Sequence, residues 1–128
     1  MMQGYIDELG YPRLSVTVTG ARRQMTLPAL VDTGFDGDLS LPIRIAVDLG
    51  LELIASFSIE LADGTLREDQ PVFSGTGRLG NGMSREIEIV LTGCEEALVG
   101  LNWFREGSLC MHFKKRELTF EETRGEPS

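Results

Sequence analysis

Thiol and imidazole side chains are scarce in this chain of 128 residues, which has two cysteines and one histidine. Cys94 and Cys110 lack the CxxC spacing of zinc and redox sites, and only His112 lies near them. The sequence therefore predicts no metal site and no disulfide framework. A nucleophilic Cys110–His112 pair has no third residue to orient it, so inert cysteines are favoured.

Positive charge is also in short supply, with 12 Lys and Arg against 20 Asp and Glu and a net charge of -8. This balance argues against a nucleic-acid or anionic-membrane partner. The short basic run Lys114-Lys115-Arg116 is interpreted as a solvated edge or turn.

Long apolar runs are missing as well, because no window approaches the roughly 18 apolar residues that span a bilayer. The first residues, Met1 to Leu14, lack the charged start and apolar core of a signal peptide. The expectation is a soluble cytoplasmic protein without a membrane partner.

The chain has no internal repeat, low-complexity segment or linker, and its 41% hydrophobic and 25% charged residues are ordinary for a globular protein. We expect a single domain over residues 1–128. Its core should span about residues 14–120, with a polar tail at residues 121–128.

The most informative stretch is ALVDTGFDGDLSLP, in which Asp32-Thr33-Gly34 follows the apolar pair Leu30-Val31. Such a pair can deliver the aspartate from the end of a buried strand, and the glycine allows a sharp turn that projects the carboxylate into a cleft. The tripeptide alone arises by chance in on the order of a few per cent of chains this long, so its context matters. A second apolar pair with a glycine follows at Leu98-Val99-Gly100, before a short amphipathic stretch.

Together these two elements resemble the single-lobe, retropepsin-like (clan AA) aspartic proteases. The resemblance is closest to prokaryotic members in which phenylalanine follows Asp-Thr-Gly and a leucine-proline pair ends the loop, here Phe35 and Leu41-Pro42. It implies a mainly β fold: a closed β-barrel of one lobe with one or two short helices.

The resemblance also implies roles for particular residues. Catalytic roles fall on Asp32, Thr33 and Gly34; substrate-binding roles on Phe35, Asp36 and a flap tip at Asp63, Gly64 and Thr65; structural support on Leu98, Val99 and Gly100. Three of these assignments have a plain alternative, and the role of two further aromatic residues is also open. Phe35 either narrows a subsite or packs beneath the loop, and Asp36 either binds substrate or forms the turn. The flap is otherwise an ordinary surface hairpin. Two aromatic residues that follow Gly100, namely Trp103 and Phe104, fill either the core or a dimer contact.

Alternating apolar residues and turn signals predict most of the strands. The expected elements are hairpins over residues 14–19 with 25–27, 57–61 with 66–69, and 72–79 with 85–91, a strand at 39–41, a helix from Pro42 that ends at Gly50, and a final strand pair around Cys110 and Leu118.

The single Asp-Thr-Gly motif decides the expected assembly. Peptide hydrolysis by an aspartic protease needs two carboxylates facing one water, and one chain supplies only one of them. A homodimer with an isologous interface would bring Asp32 together with its symmetry mate. The sequence thus predicts an aspartic endopeptidase that cleaves protein or peptide substrates without metal or cofactor. Two alternatives stay open: a catalytically weak peptide- or protein-binding module with the same fold, and a regulatory assembly subunit.

Overall fold

The structure is a computed structural model of the chain and describes residues 2–60, 64, 66–93 and 95–123. This part of the chain contains ten strands and two short helices. In chain order they are β1 (Met2–Ile6), β2 (Pro12–Thr19), β3 (Gln24–Asp32), β4 (Leu39–Pro42), α1 (Ile43–Leu49), β5 (Glu52–Glu60), β6 (Leu66–Leu79), β7 (Arg85–Thr92), β8 (Leu98–Gly100), α2 (Leu101–Phe104), β9 (Gly107–His112) and β10 (Glu117–Glu122).

Six of the strands close into a barrel. They are hydrogen-bonded in the order β6-β7-β4-β8-β3-β2, and β2 pairs again with β6 to complete the ring. β5 lies outside β6, and β1, β10 and β9 extend the sheet from β2. Apolar residues at every second position of β2 point inward, since Leu14, Val16 and Val18 are fully buried. The expected mainly β closed barrel is confirmed.

The predicted hairpins are present as antiparallel pairs of β2 with β3, β5 with β6, β6 with β7, and β9 with β10. α1 follows Pro42 and ends at Gly50, whose φ of 70° is left-handed. The backbone N–H of Gly50 donates hydrogen bonds to the carbonyls of Ala46 and Val47. A proline before the first turn and a glycine after the last are the expected ends of a short helix. Both the prediction of this helix and its limits are confirmed.

β6 differs from expectation because it runs unbroken through Pro71, where the sequence suggested two separate strands. Pairing with β7 begins only at Val72, so Pro71 lies where β6 has β5 as its neighbour and no β7 residue opposite it. A proline is tolerated at such a position since no hydrogen bond to a second neighbour is lost.

Both chain ends contribute more to the sheet than their polar sequences indicated. β10 continues through Glu121 and Glu122, which pair with Ser108 and Gly107 of β9, although residues 121–128 were expected to be a tail. β1, outside the expected core, pairs with both β10 and β2. β1 and β10 also pair with each other, with Met2 opposite Phe120, and a local sequence pattern does not reveal a contact between residues so far apart in the chain.

The two aromatic residues of α2 fill the core. Trp103 is fully buried and Phe104 nearly so. The Phe104 ring meets Phe120 of β10 edge-on, with centroids 5.3 Å apart. Of the two alternatives for Trp103 and Phe104, the structure thus supports packing within the lobe, which fixes α2 beneath the end of β8.

The turn between β1 and β2 is organised by Asp7. Its Oδ1 accepts the N–H groups of Leu9 at 3.0 Å and Tyr11 at 2.9 Å, and Arg13 Nε donates to Oδ2 at 3.0 Å. The Tyr11 bond, helped by Arg13 and opposed by desolvation, lowers the pKa of the Asp7 carboxyl. Arg13 also donates through Nη2 to Glu96 Oε1 at 2.6 Å, which ties the turn to the segment before β8.

We therefore expect Asp7→Ala to destabilise the protein more at about pH 7 than at about pH 2. Because the folded-state pKa is lowered, the stabilising contribution of Asp7 is complete above the unfolded-state value and disappears as pH falls through the lower folded-state value. Urea denaturation of wild type and variant at both pH values measures the difference. An equal loss of unfolding free energy at the two pH values would contradict the role given to the Asp7 carboxylate.

Candidate active site

Asp32 is the last residue of β3, where it pairs in parallel with Gly100 at the end of β8. Val31 and Val99, one position earlier on each strand, are buried side by side. The apolar ends of β3 and β8 thus carry the aspartate and the glycine to the same end of the barrel. The structure brings together the two elements that the sequence singled out, and the Asp32 side chain lies there half-buried.

The loop after Asp32 orients its carboxylate. Gly34 donates its amide to Asp32 Oδ1 at 3.0 Å, and Phe35 donates its amide to the Asp32 carbonyl at 3.1 Å. Thr33 and Gly34 are exposed at the tip of this turn. A carboxylate that is oriented by a backbone amide and still reached by solvent is suited to take a proton from a water molecule or to share one with a neighbouring carboxylate.

The rest of the loop is hydrogen-bonded to the start of α2. Three backbone bonds join them: Gly100 N–H to the Asp38 carbonyl at 2.9 Å, Leu101 N–H to the Phe35 carbonyl at 2.7 Å, and Asn102 N–H to the Gly37 carbonyl at 3.2 Å. These bonds satisfy three amides at the beginning of the helix, which have no partner within it. The position of Asp32 is therefore linked to that of α2.

Phe35 lies underneath this loop. Its ring is so close to two glycines that a Cβ added to Gly37 would lie 2.7 Å from it, and one added to Gly100 would lie 2.6 Å from it. This matches the packing alternative for Phe35. Asp36 is exposed on the loop, where a contact with substrate and a simple turn role are both compatible with its position.

Gly100→Ala is expected to destabilise the protein by about 1–3 kcal/mol, the usual range for overpacking. The added Cβ would lie within 2.2 Å of the Gly37 carbonyl oxygen, a backbone atom that cannot rotate away. Gly93→Ala is the matched control, because its Cβ would meet no atom within 4 Å. Urea denaturation measures the free energy of unfolding of both variants. Equal values for Gly100→Ala and Gly93→Ala would contradict the close approach at Gly100.

Asp38 was not singled out in the sequence, and it is the most highly coordinated acid of the loop. It is 7% exposed, and its Oδ1 accepts from Arg85 Nη2 at 2.8 Å and Asn102 Nδ2 at 2.9 Å. Its Oδ2 accepts the Glu88 amide of β7 at 3.1 Å. The sequence signal for Asp38 was its position directly before the segment that forms the buried strand Leu39–Pro42. A carboxylate buried beside such a strand needs hydrogen-bond partners.

Arg85 joins Asp38 to the end of α2. Its Nη1 donates to Glu106 Oε1 at 3.0 Å, and its guanidinium lies 5.3 Å from the centre of the Trp103 ring. The pair Asp38–Arg85 is largely shielded from water, with side-chain exposures of 8% and 16%. The loop that begins at Asp32 is consequently fixed at its far end by a charge pair to β7.

The proposed flap lies between β5 and β6. Gly64 is exposed there with a φ of 87°, a left-handed conformation that suits glycine at a tight turn. Asp63 and Thr65 lie outside the described residues. The flap assignment stays a prediction.

A polar cleft of about 480 Å³ adjoins the buried carboxylate of the loop. It is lined by Asp38, Ile54, Ser74, Arg85, Glu86, Ile87, Glu88 and Asn102. Asp32, at the end of β3, is not among these lining residues. Nowhere in the described part of the chain do three or more His, Cys, Asp or Glu side chains form a group suited to hold a metal ion.

Comparison with solved structures identifies the architecture. The crystal structure of a retropepsin-like aspartic protease from Rickettsia conorii superposes with a TM-score of 0.64 at 15% identity, covering 93% of this chain and 88% of that one. The chain has the retropepsin-like fold. The retroviral protease-like domain of Ddi1 from Leishmania major is also similar, with a TM-score of 0.48 at 16% identity over 88% of this chain and 97% of that domain.

The retropepsin-like fold is established by structure alone. No family model matches the chain, and no curated protein sequence is significantly similar to it. At 15% identity the similarity concerns the course of the chain rather than its chemistry. Across the described residues, no helix is long and apolar enough to span a membrane.

Proposed function

We propose that this retropepsin-like lobe is one half of a homodimeric aspartic endopeptidase. The observation that carries the proposal is the placement of Asp32 at the end of β3 beside Gly100, on a loop that orients its carboxylate through the Gly34 amide. An active site of this kind is completed by the same residue of a second copy. The whole chain acts as one domain in this proposal.

In the dimer the two Asp32 carboxylates face each other across the two-fold axis. Two negative charges that face each other closely repel, so the pair holds a single proton, as is general for aspartic proteases. The proton belongs to the pair rather than to one residue. Activity should therefore require a pH window in which the pair carries one proton.

The chemistry follows from this state. The ionised Asp32 removes a proton from water as the water oxygen attacks the scissile carbonyl carbon, while the protonated Asp32 donates a hydrogen bond to the carbonyl oxygen. The proton taken from the water is then delivered to the leaving amine as the C–N bond breaks. No covalent intermediate is needed.

Neighbouring residues have supporting roles in the proposal. Thr33 is exposed beside Asp32 and bonds the partner's loop across the two-fold axis, and Gly34 orients the carboxylate. Asp36 accepts a backbone N–H of the substrate, and the segment at Asp63, Gly64 and Thr65 covers the substrate as a flap. Phe35 shapes the site from beneath the loop, while Leu98, Val99 and Gly100 support the strand end.

The test is cleavage of an unbiased peptide library by the purified protein from about pH 3 to pH 8, with the cut bonds identified by mass spectrometry. We expect a bell-shaped dependence of cleavage on pH. A wild type that is dimeric and cleaves nothing across this range would contradict the protease proposal and favour the peptide-binding alternative.

A further inference from the structure

We propose that two copies of this chain meet through the surface formed by the β1–β2 turn and the β9–β10 turn, called here the turn face and marked by Leu9, Tyr11 and Phe113. The inference deepens the proposed function, on which it rests, by assigning the surface that forms the dimer. Its partner is a second copy of the chain.

The turn face lies at the same end of the sheet as Asp32. Arg13, near the start of β2, pairs with Leu30, near the end of β3, so the turn before β2 lies close to the end of β3. Tyr5 of β1 pairs with Glu117 at the start of β10, which places the β9–β10 turn at this end too. In the strand order β3-β2-β1-β10-β9, the β1–β2 turn comes first beyond the end of β3 and the β9–β10 turn comes next. Both turns are thus at the end of the sheet where a two-fold axis beside Asp32 would lie.

The turn face exposes large apolar side chains. Leu9 is 83% exposed, Tyr11 51% and Phe113 55%. The two turns are in contact, because Arg116 donates from Nη2 to the Glu8 carbonyl at 3.4 Å. Large exposed apolar side chains on two turns that touch each other are typical of a protein contact surface.

This surface is already ordered in the single chain. Asp7 fixes the Leu9 and Tyr11 amides, and Arg13 connects Asp7 to Glu96, just before β8. The Leu9 turn is thereby held in position relative to β8, which pairs with β3 beside Asp32. An ordered surface loses little conformational entropy on association.

A second copy fits the turn face because the contact is self-complementary in charge. Glu8 lies on one turn and Lys114 and Lys115 on the other, and all three are exposed. A two-fold axis can place the acidic turn of one copy against the basic turn of its partner, in an otherwise acidic chain with a net charge of -8. The basic run thus gains a partner.

α1 provides a matched alternative surface. Its Val47 is 60% exposed and Ile43 57%. The helix end is hydrogen-bonded to the β2–β3 turn, through Ala21 N–H to Gly50 and Arg22 N–H to Leu49, at the opposite end of the barrel. A dimer formed through α1 would keep the two Asp32 residues apart.

The experiment compares Leu9→Asp with Val47→Asp by sedimentation over a range of concentrations, with circular dichroism to confirm folding. We expect Leu9→Asp to raise the dimer Kd about tenfold or more, and Val47→Asp to leave it near the wild-type value. An unchanged Kd in Leu9→Asp, an equal shift in both variants, or a wild type that is monomeric throughout would overturn the inference.

Peptide cleavage by the same proteins separates this inference from the proposed function. A Kd raised in Leu9→Asp alone, with no cleavage by a dimeric wild type, supports the interface and contradicts the protease. Cleavage by wild type with an unchanged Kd in Leu9→Asp contradicts the interface and supports the protease.

Discussion

Asp32→Asn is expected to lower kcat for peptide cleavage by about 1,000-fold or more, because the amide can neither take a proton from water nor share one with its partner. The fold should be retained. Asn keeps a side-chain oxygen that accepts the Gly34 amide, and the side chain at this position is half-exposed.

Asp48→Asn is the matched control for this variant. Asp48 is exposed on α1, and the same chemical change there removes one negative charge without touching the loop. Cleavage rates are measured on a peptide identified from the library, and urea denaturation checks stability. Residual activity in Asp32→Asn equal to that of Asp48→Asn would show that Asp32 is not catalytic.

The second large effect is on stability. Asp38→Ala is expected to lower the free energy of unfolding by about 3 kcal/mol, since it leaves the largely buried Arg85 with only one of its two carboxylate partners. The same change removes the side-chain bonds to Asn102 and the Glu88 amide. Cleavage should fall as well, because the loop that carries Asp32 loses the charge pair at its far end.

Glu106→Gln serves as the comparison for Asp38→Ala, because it removes the other carboxylate that Arg85 contacts. Glu106 is 40% exposed and its ion pair is partly screened by solvent, so the expected loss is about 1 kcal/mol or less. Urea denaturation gives both free energies, and hydrogen exchange reports the loop amides. Equal losses, with loop amides equally protected in both variants, would contradict the role given to Asp38.

Features with a local signature could be predicted from the sequence. The alternation of Leu14, Val16 and Val18 specifies one face of β2, and Pro42 with Gly50 delimits α1. The two apolar strand ends before Asp32 and Gly100 also have a local signal. Their parallel pairing has no local signal, and the structure supplies it.

Features that depend on distant partners could not be predicted in this way. β1 is a strand because β10 and β2 flank it, and β6 passes Pro71 because β7 begins to pair at Val72. The position of Asp38 before a buried strand indicates that its carboxylate needs a partner, but not that the partner is Arg85, far along the chain. The flap stays a prediction, since a hairpin pattern does not say what the hairpin covers.

The central claim, that two chains share one active site, is tested most directly by mixing wild-type protein with inactive Asp32→Asn protein and allowing the subunits to exchange. A ninefold excess of the variant should leave about a tenth of the wild-type activity, because a wild-type chain then meets a wild-type partner about one time in ten. Activity that depends only on the amount of wild-type chain, whatever the excess of variant, would contradict a shared site.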